Sequence, residues 1–70
     1  MSESECVVIY WDEVRQVETQ SATSSSRQAA IIQAFALWRQ HKEVRRIECG
    51  GGEVIEGEEL NELIRKQSKN

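Results

Sequence analysis

Residues 6–11 read Cys-Val-Val-Ile-Tyr-Trp, an unbroken β-branched and aromatic run in a chain of only 70 residues. A run of this kind favours a strand with both faces covered, or nearly so. The rest of the chain is short of material for that cover. Seventy residues build one domain at most, near the lower limit for a fold held by a single core. Ordering each residue costs about 1.5 kcal/mol, roughly 100 kcal/mol in all. A hydrophobic content of 39% leaves little net stability after that cost. Burial against a partner or a second copy would help. The expectation is one domain over residues 1–70, frayed at 1–4 and 68–70.

Residues 14–20 read as a second strand returning about an Asp12-Glu13 turn, which pairs Val8 with Val17 and Tyr10 with Arg15. Neither turn residue readily takes positive φ, so this strand is optional in the expected order. Ser21–Ser24 form a polar loop. Ser25 and Gln28 make a capping box that opens a helix over about residues 26–42. Ala30, Ile31, Ala34, Phe35 and Trp38 give it an apolar face. Arg39, His41 and Lys42 suit the negative end of its dipole. Ala29, Ile32 and Ala36 form a second, thinner apolar strip. A sheet that wraps the helix widely accounts for it, with a protein contact along the strip as the alternative.

Residues 44–49 read as a strand with Arg45, Ile47 and Cys49 on one side. Gly50-Gly51-Gly52 supplies the positive φ of a tight reversal, and residues 53–56 return as the partner strand. After Gly57, Glu58 and Glu59 open a second helix whose apolar face is Leu60, Leu63 and Ile64. The fold class is therefore α+β, a small two-layer domain of order β-(β)-α-β-β-α. Its three- or four-stranded sheet is antiparallel or mixed, with both helices on one face. The other face is open. One apolar set of the first strand, Val7, Ile9 and Trp11 or Val8 and Tyr10, must then meet solvent or a partner.

The net charge of −3 conceals a segregated pattern. Residues 1–26 carry −4, residues 27–46 carry +4 and residues 47–70 carry −3. Fields of this kind act mainly on association. Catalytic signatures are missing. The glycine triplet precedes Glu53 and a β-branched pair rather than a helix, so it reads as a turn and not a phosphate loop. Cys6, Cys49 and His41 are too few and too scattered for a zinc site. Both cysteines read as small core residues without a disulfide. The first five residues lack a basic, then apolar, leader, which places the protein in a reducing cytoplasm. The longest nearly apolar run, Ala29–Trp38, falls short of the roughly 20 residues of a bilayer span.

No enzyme, cofactor, metal or small-molecule substrate is expected. The favoured function is a non-enzymatic protein–protein interaction module, a small adaptor, regulator or inhibitor that binds another protein or itself. It would act through an open sheet face and an acidic surface, with Tyr10, Trp11, Glu53, Glu56, Glu58, Glu59 and Glu62 as contact residues. The runner-up is a nucleic-acid-binding protein that clamps phosphates with Arg39, Lys42, Arg45 and Arg46.

Overall fold

The computed structural model describes residues 5–68. The chain runs β1 (Cys6–Asp12), β2 (Val17–Gln20), α1 (Arg27–Arg39), β3 (Glu43–Cys49), β4 (Val54–Glu56) and α2 (Gly57–Ser68). A 3-10 turn over Gly50–Gly52 joins β3 to β4, as the glycine pattern implies. The optional strand is present but shorter than expected, Val17–Gln20 rather than residues 14–20. The four strands form one antiparallel sheet in the order β2-β1-β3-β4, with both helices packed on one face. Ser68 still belongs to α2, and the other residues expected to fray lie outside the described ones.

Strand alternation builds the core. Val8, Ile47 and Ile55 stand in one row across β1, β3 and β4. Ala30, Ile31 and Ala34 of α1 and Leu60 and Ile64 of α2 close over them. Beyond this row, Cys6 faces Cys49 directly across β1 and β3, and a disulfide joins them. The expectation of two unbonded core cysteines is corrected here. Both the N–H and the C=O of Cys6 bond to Ser24, at 3.0 and 2.7 Å. The Cys6–Cys49 pair is therefore a non-hydrogen-bonded one, the kind in which facing side chains stand closest.

Three local expectations also shift. The β1–β2 hairpin has four loop residues, not two, and pairs Tyr10 with Thr19 and Trp11 with Glu18. Asp12 causes this: its carboxylate accepts the Val14 and Arg15 N–H groups at 3.0 and 3.2 Å, while Gln16 takes positive φ (55°). The cap of α1 is Ser26 rather than Ser25, its Oγ accepting the Ala29 N–H at 3.1 Å. The helix also ends at Arg39 rather than near Lys42. His41 turns to φ 66°, and the His41 and Lys42 N–H groups bond back to Trp38 and Leu37, each at 3.0 Å. This is a Schellman closure with histidine where glycine is usual.

The core side of α1 is narrower than the sequence suggests. Ile32 stays 51% exposed and Ala36 is exposed, so the sheet does not wrap the second strip. Trp38, expected on the core face, is 52% exposed at the end of the helix.

Candidate functional site

The open sheet face is built by the residues of β1 that point away from the helices. Ile9 pairs with Arg46 and Val7 with Glu48 across β1 and β3. Arg46 Nε donates to Glu48 at 2.7 Å, and its terminal nitrogens reach Glu18 on β2 at 3.4 Å. Because β1 lies between β2 and β3, the Arg46 side chain has to cross β1 to make both contacts. Ile9 is 3% and Val7 8% exposed on this face. The greasy open layer expected from the sequence is thus closed at its centre by a bridging arginine and two glutamates. Hydrogen bonds to Glu48 and then Glu18 hold the Arg46 guanidinium above its ordinary pKa.

Trp11 lies on the same face but at one end, half-buried. A β-bulge between β1 and β3 sets its neighbour. The register skips Arg45 between Ile9–Arg46 and Tyr10–Val44. A bulge re-aims its side chain, so Arg45 leaves the helix side, where alternation with Ile47 and Cys49 would put it. Its guanidinium sits 5.4 Å from the Trp11 ring and 3.0 Å from Glu43. Tyr10 points to the opposite face from Trp11, so these two candidate contact residues do not form one surface.

The five candidate glutamates separate as well. Arg27, at the start of α1, reaches Glu53 at 3.7 Å and Glu59 at 4.0 Å. Glu56, at the end of β4, and Glu58 and Glu62, one turn apart on α2, have no ion-pair partner among the described residues. All three are exposed; on edge strand β4, Glu56 and the 47% exposed Val54 stand opposite Arg46 and Glu48 on the open sheet face, whereas Glu58 and Glu62 belong to α2.

The four candidate cations divide in the same way. Arg45 and Arg46 are engaged as described, whereas Arg39 and Lys42 have no carboxylate partner among the described residues. Arg39 lies 5.8 Å from the Phe35 ring, which in turn stacks on Trp38 at 6.0 Å. Trp38, Arg39, His41 and Lys42 line an open groove at this end of the molecule. A phosphate clamp of all four cations is therefore not assembled; two of the four remain available.

Sequence reading missed Trp38 and Val54 as surface residues and Arg27 as the group that neutralises part of the acidic set. Trp38 carried a usable signal, because it is the last apolar residue before a run of cations. No cluster of His, Cys, Asp or Glu among the described residues is arranged to hold a metal ion. No helix among them is long and apolar enough to cross a membrane. Compared with known protein families, curated proteins and solved structures, the chain matches none.

Proposed function

We propose that this domain is a non-enzymatic protein–protein interaction module, a small adaptor, regulator or inhibitor whose contact surface is its acidic edge. One observation carries the reading: the fold uses some of its carboxylates internally and leaves Glu56, Glu58 and Glu62 without an ion-pair partner among the described residues. An unpaired like-charged set steers and orients a partner of opposite charge, and the half-exposed Val54, on the same strand face as Glu56, offers it apolar contact. Trp11 marks the far end of the open sheet face and extends the surface there. The partner surface is basic.

The test compares a triple and a double variant in quantitative capture of basic proteins. Glu56→Gln/Glu58→Gln/Glu62→Gln should abolish retention at moderate salt. Glu53→Gln/Glu59→Gln, which removes only the carboxylates already held by Arg27, should retain it. Equal capture by both would contradict the reading.

The compartment proposed from the sequence is the cytoplasm. The Cys6–Cys49 disulfide counts against it, since cytosolic thiols are held reduced. Alkylation trapping in intact cells separates the two: modified cysteines place the chain in a reducing compartment, and protected ones in an oxidising compartment.

A further inference from the structure

Cations and carboxylates without an ion-pair partner among the described residues flank one run of adjoining grooves. Trp38 of α1 lines a groove with Asn61, Ile64 and Arg65 of α2. Asn61 and Arg65 also line the adjoining groove with Glu58 and Glu62. This run of grooves has an aromatic and basic half, with Trp38, Arg39 and Lys42 at and beyond the end of α1, and an acidic half, with Glu58 and Glu62 on α2. The Asn61–Arg65 seam belongs to both.

A surface of this kind is complementary to itself. In a two-fold contact, residue i of one copy meets residue j of the other, and j meets i in return. An axis through the Asn61–Arg65 seam sets Glu58 and Glu62 of each copy against Arg39 and Lys42 of the other. Each Trp38, which lines the groove beside that seam, then lies near the axis, and interfaces concentrate their aromatic anchors near the centre. We infer that two copies of this chain associate through their helix layers in this isologous way. A standard interface takes about 800 Å² per partner. That is about a sixth of the chain's accessible surface of 4807 Å².

The inference rests on the reading that Glu58 and Glu62 meet an outside cation, and it names a second copy as the source of that cation. Complementarity favours this occupant over single-stranded nucleic acid. A nucleic acid would find cations on one half of the surface and meet repulsion from Glu58 and Glu62 on the other.

Sedimentation velocity on the whole chain, over a range of concentrations and salt, is the first measurement. A dimer that weakens as salt is added is expected. Charge exchange is the second. Glu58→Lys/Glu62→Lys and Arg39→Glu/Lys42→Glu should each raise the dimer dissociation constant by about tenfold or more, because every substitution acts twice in a two-fold contact. An equimolar mixture of the two variants should dimerise again, since each now complements the other, and this recovery also shows that both are folded.

A wild-type chain that stays monomeric at every concentration overturns the inference. So does a mixture of folded variants that stays apart, or dimerisation indifferent to both exchanges. Salt-sensitive quenching of Trp38 by an oligothymidylate or oligouridylate, lost in Arg39→Glu/Lys42→Glu, would assign the groove to nucleic acid and overturn it too. If the chain is monomeric yet still captures basic proteins through Glu56, Glu58 and Glu62, the self-association fails and the interaction module stands. If the dimer forms and that capture is independent of the three glutamates, the reverse holds.

Discussion

His41 closes α1 with φ of 66°, a conformation its β-carbon disfavours. The Schellman hydrogen bonds from His41 and Lys42 hold it there. Glycine adopts the same backbone without that steric penalty. His41→Gly is expected to stabilise the domain by about 1 kcal/mol, read as a raised urea midpoint; a lowered midpoint contradicts this account of the helix end. Asp12 has the complementary role at the other turn. Its carboxylate satisfies two loop N–H groups, so Asp12→Ala should cost about 1 kcal/mol in the same measurement, with no loss contradicting the turn's assignment. Both residues were visible in the sequence, but their tasks were not. A histidine in a basic run gives no local sign of positive φ. An aspartate before a turn suits either a turn position or a side-chain cap.

At the scale of elements, the period of the apolar residues foretold the strands, the helices and most of the core. Val8, Ile47, Ile55, Ala30, Ala34, Leu60 and Ile64 follow from alternation and helical spacing, and all are buried. Coverage of the other face of β1 did not follow. It depends on which cation the register sets opposite Ile9, and the bulge at Arg45 alters that register within β3. Arg46→Ala should therefore leave the fold intact while uncovering Ile9 and Val7. The expected signs are unchanged far-ultraviolet dichroism, increased binding of a hydrophobic dye and lower solubility. No change in dye binding would mean that Arg46 does not seal this face. The raised Arg46 pKa gives its ion pairs a definite sign with pH. Titration of Arg46 withdraws their contribution only as pH rises past the ordinary arginine value, so it does not vary through the neutral range.

For the molecule as a whole, the disulfide matters most because it joins residues 43 apart in a chain of 70. Closing a loop of that size stabilises a fold by about 2–4 kcal/mol, a large share of what so small a domain possesses. Reduction, or Cys6→Ala/Cys49→Ala, should lower the unfolding free energy by that amount. An unchanged urea midpoint would contradict a bond that forms in the native chain. The bond escaped sequence reading because cysteine spacing says nothing of strand order; adjacency of β1 and β3 is a property of the sheet. Charge shows the same division. The +4 and −3 segments were evident in the sequence, while the pairing that removes Arg45, Arg46, Glu53 and Glu59 from them exists only in three dimensions.

On the proposed function, Glu56, Glu58 and Glu62, which have no ion-pair partner among the described residues, form the contact surface. Nuclear magnetic resonance titration with a short oligolysine peptide as the basic probe tests it most directly, following each glutamate separately. Saturable, salt-sensitive shifts are expected at Glu56, Glu58 and Glu62, with Glu18, Glu48, Glu53 and Glu59 nearly still. A uniform response from all seven, or a response confined to the last four, would contradict it.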